Sequence, residues 1–217
     1  DSNRINIIED CYTIGIHSSG TGSSNDQQFS GFIGKYSLTN SIIHIRNCYS
    51  YGDVLRDYDS AFIGNYSLEN GIIIIQNCIA YGRMIASYAN SIANNRLDAL
   101  HMIIQNCYGN NKNDEYLQIE TIESDNTLNV SSSNSSPYYG CNYPLSKLTE
   151  TSLDNLNKVS TYTLNINGSD ITFSSETPSY QLNTTGTDKS KPLLKYFRTN
   201  IRDGSYIDID SRPTVKY

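Results

Sequence analysis

The chain repeats itself, and no other feature limits its fold as much. Residues 32–48 read FIGKYSLTNSIIHIRNC, and residues 62–78 read FIGNYSLENGIIIIQNC, with twelve of seventeen residues identical. The repeat extends further. INIIEDCYTIG (5–15), IIHIRNCYSYG (42–52), IIIIQNCIAYG (72–82) and HMIIQNCYGNN (101–111) align on Cys11, Cys48, Cys78 and Cys107. The cysteine spacings are 37, 30 and 29, and the first becomes 30 if SSGTGSS (18–24) is a surface excursion. The second half of the unit recurs as SGFIGKYSL (30–38), SAFIGNYSL (60–68) and a degraded SIANNRL (91–97).

A period near 30 is short for a propeller blade and carries no amphipathic helical spacing. Each unit instead has a β-branched Ile run punctuated by Asn, Gly, Ser and Asp, the signature of strands and turns. Two or three short strands cannot bury a core alone, but copies stacked on one another can. The expected fold is all-β: a parallel β-helix, or β-solenoid, of about 30-residue coils over residues 1–113. Residues 114–217 would then form a terminal coil, a mixed cap and a binding or oligomerisation region.

Stacking turns aligned positions into ladders. Ile8, Ile45, Ile75 and Ile104 should point inward. Asn47, Asn77 and Asn106, with Asp10 before them, should hydrogen-bond along the ladder and satisfy turn backbone. Tyr12, Tyr49 and Tyr108 form a row interrupted by Ile79. Gly15, Gly52 and Gly82 fit positions of positive φ. The four aligned cysteines are expected as a row of buried thiols, because CxxC pairs and convergent His are missing. Cys141 stands outside the repeat.

These residues resemble a known family. NCYSxG followed by a G-[GF]-[LI]-[VI]-G segment is similar to the GLUG-motif repeats of bacterial surface proteins and to related repeats in surface proteins of Mimivirus-like giant viruses. RNCYSYGDV (46–54), AFIGNYSL (61–68) and SGFIGKYSL carry the likeness over roughly residues 5–111. The resemblance implies a right-handed β-helix used as an adhesin or fibre scaffold. The chain departs from the pattern where Phe32, Phe62 and Ile92 replace the second Gly, and it adds a long tail.

In that tail, YLQIETI (116–122) and TLNV (127–130) could make one more coil. Leu145, Leu148, Leu153 and Leu156 lie at near-helical spacing. Asn167-Gly168 between TYTLNI and DITFSS signals a hairpin, and residues 191–210 suggest a short helix or strand followed by a strand. A last coil needs a cover, because its open edge would recruit other chains.

Composition narrows the function. The net charge is −6 with Lys and Arg unclustered, which argues against nucleic acid. The longest apolar run, Ile72 to Ile75, is far shorter than a bilayer span. The chain opens on Asp1, as expected of a processed form or a fragment with any signal peptide out of view. An enzyme on this scaffold would need facing carboxylates. The nearest approach is DVLRDYD, with Asp53, Arg56, Asp57, Tyr58 and Asp59, and one unit on only Tyr88 persists from that set. These residues, with Tyr51 and Tyr81, are the candidate ligand-binding surface, and a solvated loop is the plainer expectation for them. His17, His44 and His101 occupy non-equivalent positions. No cofactor or metal is expected. The leading expectation is a non-enzymatic surface or fibre module for adhesion or host attachment, extracellular or on a virion, meeting a cell-surface glycan or protein. The alternatives are a polysaccharide lyase or hydrolase on the same scaffold, and an architectural virion protein whose partner is its own assembly.

Overall fold

In a computed structural model of the chain, the described residues are 4–13, 16–17, 30–34, 38–39, 41–55, 59–64, 68–69, 71–84, 92, 101–109, 127–131, 141–145, 148, 152–176, 178, 180–182 and 192–194. The first unit gives β1 (Ile5–Glu9), β2 (Tyr12–Thr13) and β3 (Ile16–His17). The second gives β4 (Leu38–Thr39), β5 (Ile42–Arg46), β6 (Tyr49–Ser50) and β7 (Asp53–Val54), and the third β8 (Leu68–Glu69), β9 (Ile72–Gln76) and β10 (Ile79–Ala80). The fourth has β11 (His101–Gln105) and β12 (Tyr108–Gly109). The tail has β13 (Thr127–Ser131), β14 (Tyr143–Pro144), α1 (Ser152–Leu156), β15 (Thr161–Ile166), β16 (Ser169–Ser174), β17 (Tyr180–Leu182) and β18 (Pro192–Leu194).

The chain is mostly β, with parallel sheets built from the repeats. The first sheet runs β1-β5-β9-β11-β13 and the second β14-β12-β10-β6-β2. Equivalent residues of successive units pair directly: Ile45 lies between Ile8 and Ile75, and Ile75 between Ile45 and Ile104. The second half of the unit stacks too, through parallel bridges Ser30–Ser60 and Ile33–Ile63. There Phe32 lies on Phe62 with ring centroids 5.0 Å apart and planes 6° from parallel. The aromatic that departs from the GLUG-like pattern thus makes a ladder of its own.

Three apolar clusters form among the described residues. Between the sheets lie Ile43, Ile45, Ile73, Ile75, Met102 and Ile104 with Phe62, Ile63 and four cysteines, while Ile8 packs partly buried against them. Ile42, Ile72, Ile74 and Ile103 face the other way, onto Ile166 and Phe173 of the β15–β16 hairpin. The Ile runs are therefore unbroken because both faces of the central strands are covered. The third cluster joins the tyrosine row to leucines of the tail.

Several details differ from the sequence reading. The left-handed backbone falls on Asp10, Asn47, Asn77 and Asn106, with φ of 49°, 53°, 54° and 55°. Asn and Asp tolerate this region because their short polar side chains bond locally. Gly52 and Gly82 are not among the positive-φ residues. Gly82 is needed for close approach: a Cβ there would stand 1.8 Å from the Gly52 carbonyl oxygen. Gly15 lies outside the described residues. β13 does extend the first sheet, but it pairs antiparallel to β11, with Ile104 opposite Leu128. The chain reverses there instead of adding a further parallel rung. Among the described residues the leucine stretch is α-helical over Ser152–Leu156, and Leu148 N donates to Leu145 O at 2.9 Å. The Asn167-Gly168 hairpin forms as expected, with φ of 52° and 82°.

All five cysteines are free thiols. Cys48, Cys78 and Cys107 are buried, but Cys11, on the first unit, is exposed, contrary to the expected row of buried thiols. Cys141, unassigned from sequence, is buried in the same core. Each ladder thiol donates to the carbonyl two residues back, as Cys78 does to Gln76 O at 3.2 Å. Burial, with Cys107 and Cys48 on either side, pushes the Cys78 thiol well above its ordinary pKa.

Candidate functional site

The repeated polar residues meet on the outer side of the stack, where the tail crosses it. The left-handed turn aims each asparagine amide outward. Asn47 Nδ2 donates to Ser175 O at 2.8 Å. Asn77 Nδ2 donates to Leu156 O at 2.6 Å and Lys158 O at 2.7 Å. Asn106 Nδ2 donates to Asn155 O at 2.7 Å. The asparagines thus bind tail carbonyls, and Asn47 also hydrogen-bonds the Asp10 side chain of the neighbouring rung, a bond along the ladder of the kind the sequence suggested. Four tail carbonyls, two at the end of α1 and two beyond regular structure, are satisfied this way.

One residue before each asparagine, a second polar row runs beneath the hairpin. Arg46 is 6% exposed. Its Nε donates to Glu9 Oε2 at 2.6 Å and its Nη1 to Ser174 O at 2.7 Å. Nη1 also lies 2.9 Å from Glu176 Oε1. On the next rungs Gln76 Nε2 donates to Gln105 Oε1 at 2.8 Å, and Gln105 Nε2 to Thr161 O at 3.1 Å. His44 Nε2 lies 2.8 Å from Gln76 Oε1, and Phe173 meets its ring edge-on at 5.5 Å. Burial lowers the His44 pKa below its ordinary value, the Gln76 bond opposing the shift. The His44 ring is held between Gln76 and Phe173.

The tyrosine row is closed as well. Tyr51 and Tyr81 are 2% and 7% exposed, with rings 5.1 Å apart. Leu145, Leu148, Leu153 and Leu156 pack on this row. Tyr180 enters it and shares its hydroxyl between Asn77 O at 2.6 Å and Cys48 O at 3.2 Å. Burial raises the Tyr180 pKa well above the ordinary phenol value. Tyr180 is in turn held by a reciprocal pair: its N–H donates to Asn157 Oδ1 at 2.7 Å, and Asn157 Nδ2 donates to its carbonyl at 3.0 Å.

The sequence-derived ligand surface is therefore distributed. Tyr51 and Tyr81 lie under the tail, where they present no face to a ligand. Asp59 is fully buried, not on a solvated loop. Asp53 accepts from Arg83, one rung above: its Oδ2 from Nη2 at 2.6 Å and its Oδ1 from the backbone N–H at 2.9 Å. Arg56, Asp57, Tyr58 and Tyr88 lie outside the described residues. His17 sits on β3 and His101 on β11. Among the described residues no three His, Cys, Asp or Glu side chains group as a metal site. No helix among them is long and apolar enough to cross a membrane.

A cleft that sequence reasoning missed opens beside this seam. It holds about 250 Å³ and is lined by Gln105, Asn106, Tyr143, Asn155, Lys158 and residues 159–161. Tyr143 stacks on Tyr108 at 4.9 Å, and burial together with Tyr108 raises its pKa. The only sequence signal for it was the Cys-Asn-Tyr of 141–143, a reordered echo of the repeated Asn-Cys-Tyr. Comparison with protein-family models, curated proteins and solved structures gives no match.

Proposed function

We propose that the stacked units form a right-handed β-solenoid of the GLUG-like kind, and that the chain is a non-enzymatic surface or fibre module for attachment to a glycan or protein on another cell. One observation carries the reading. The residues the repeat writes most faithfully, Ile, Asn, Cys and Tyr, are engaged in stacking rungs and in holding the tail against them. Selection on such positions favours a rigid, extendable scaffold, and repetition favours length and multivalency over turnover. An extracellular or virion-surface location follows from the same reading.

Contact with a ligand then falls to the Tyr143 cleft, which joins an aromatic ring to amide groups and the Lys158 ammonium, the chemistry that sugars use. The undescribed residues 56–58 and 88 are the second place to look. A glycan array probed with the intact chain and with Tyr143→Ala and Lys158→Ala tests both. Binding reduced by either substitution supports the cleft. Binding unaffected by them but abolished by Tyr58→Ala or Tyr88→Ala moves the site to the loops. Depolymerisation of a polysaccharide that disappears on Asp57→Ala, in a variant that melts as the parent does, would replace the module with an enzyme.

A further inference from the structure

The ladder cysteines hold their sulfurs in the same way on every rung. Glu9 pairs with Arg46 and Tyr12 with Tyr49, Arg46 with Gln76 and Tyr49 with Ile79, Gln76 with Gln105 and Ile79 with Tyr108. Cys11, Cys48, Cys78 and Cys107 therefore lie in register, one directly above another. Each thiol donates to the carbonyl two residues back: Glu9 O at 3.0 Å, Arg46 O at 3.1 Å, Gln76 O at 3.2 Å and Gln105 O at 3.4 Å. Cys48, Cys78 and Cys107 also approach a carbonyl of the preceding rung, Ile8 O at 3.6 Å, Ile45 O at 3.9 Å and Ile75 O at 3.6 Å. Cys48 is in hydrogen-bond contact with Cys11 and Cys78, and Cys78 with Cys107. One side-chain pose, repeated, makes a single row of four sulfurs.

Rung spacing decides what such a row can hold. Equivalent atoms on paired strands repeat about every 4.8 Å. A disulfide needs sulfurs about 2.05 Å apart, so two neighbours could join only by leaving the pose they share with the rest, and all are free thiols. A metal–thiolate bond is about 2.3 Å long for zinc, and two such bonds end to end span about 4.6 Å, close to one rung. A cation bound by two sulfurs in a line therefore fits between neighbours with the strands unmoved. Linear binding by two thiolates is the habit of soft closed-shell cations such as copper(I) and silver(I), and thiolate sulfur selects soft ions. Zinc takes four ligands, and among the described residues no three His, Cys, Asp or Glu side chains group around one point.

We propose that the cysteine row is a binding site for soft monovalent cations, copper(I) or silver(I), with one ion in each of its three gaps. The first ion joins two sulfurs and displaces two thiol protons, because a thiol that coordinates a metal gives up its proton outright. Each further ion shares a sulfur with the one before it and displaces one proton more. One cation between two thiolates carries a single net negative charge, and three cations among four thiolates carry the same. The first ion thus brings an uncompensated charge into a core lined by isoleucines, which is costly, and the later ions add none. Loading is therefore cooperative. Cys141 is buried in the same core but out of register, since Tyr143 pairs with Tyr108 and sets Cys141 opposite Asn106, and it takes no part. The inference uses the rungs alone and is independent of any ligand in the Tyr143 cleft.

Native mass spectrometry tests it on the intact, reduced chain, refolded from urea with copper(I) under nitrogen and freed of loose metal by a weak copper(I) chelator. The parent should carry no ion or three, with the one-ion and two-ion forms scarce. X-ray absorption at the copper edge should show two sulfur neighbours per ion and no nitrogen or oxygen. Cys141→Ser should leave three ions. Cys107→Ser shortens the row and should leave two. Cys78→Ser splits the row and should leave one, between Cys11 and Cys48. Serine is close to cysteine in size and keeps a donor for the carbonyl two residues back, and melting curves without metal show that each variant folds. Cys107→Ser and Cys78→Ser give independent counts, so the loss of one variant to misfolding leaves the other to decide. A parent capacity other than three, a capacity lowered by Cys141→Ser, copper bound by three sulfurs, or a folded Cys78→Ser chain that still takes two or more ions overturns the proposal.

Discussion

The first rung and the third carry nearly the same strand and live in different surroundings. β1 alternates between exposed and half-buried, and β9 is buried at every residue. Ile7 is 52% exposed, while the rung-three isoleucine on the same outer face, Ile74, is 0% exposed. Stacking alone does not make this difference, since it only supplies neighbours above and below. The tail does, by laying Phe173 and Ile166 over rungs two to four and binding their asparagines. The repeat thus supplies one core and half of another, and a non-repeated segment about a hundred residues downstream supplies the remainder.

The comparison can be broken from the tail side. Phe173 is 3% exposed against the outer isoleucines. Phe173→Ala should lower unfolding stability by about 3–5 kcal/mol in a urea titration. Next comes the rung pair. Ile74→Ala should cost about 2–5 kcal/mol. Ile7→Ala should stay within about 0.5 kcal/mol. Equal costs would mean that the hairpin does not shield β9.

The asparagine clamp comes third. Asn77→Ala removes donors from two tail carbonyls, at about 1–3 kcal/mol, and puts alanine in the left-handed region at roughly 1–2 kcal/mol more. Asn77→Gly keeps the backbone conformation and should lose only the first amount, so the gap between the variants measures the turn. The smallest effect is on pH. The folded pKa of His44 lies below its unfolded value near 6.5. Its contribution is fully present above that value and is lost as pH falls from there toward the folded pKa. Arg46, Glu176 and Glu9 are the charged groups nearest it. Stability measured between neutral and mildly acid pH should decline in the parent, and the part due to His44 should vanish in His44→Gln.

Much of this was legible in the letters. The period, the inward isoleucines and the Asn-Gly hairpin follow from spacing and turn chemistry. What was not legible depends on a partner distant in sequence. A repeated Asn before Cys reads as a ladder bond, which Asp10 and Asn47 make, but its bonds to Leu156, Lys158 and Ser175 cannot be read from the repeat. Tyr51 and Tyr81 read as an exposed row until Leu153 and Tyr180 cover them. Gly82 reads as a turn residue, because the Gly52 carbonyl that forbids a Cβ belongs to another rung. Asp59 sits in a run of charges that looks solvated and is buried by its place in the fold.

The central claim is that stack and cover are one cooperative structure, and native-state amide hydrogen exchange tests it most directly. The N–H groups of β15 and β16 should exchange through the same opening, at the same free energy, as those of Ile73 and Ile75 in β9. The N–H groups of Ile7 and Glu9, in the more exposed β1, should exchange far faster. If the hairpin instead exchanges through its own low-energy opening while β9 stays protected, the cover is an independent flap, and the account given for the buried isoleucines and the asparagine clamp is wrong.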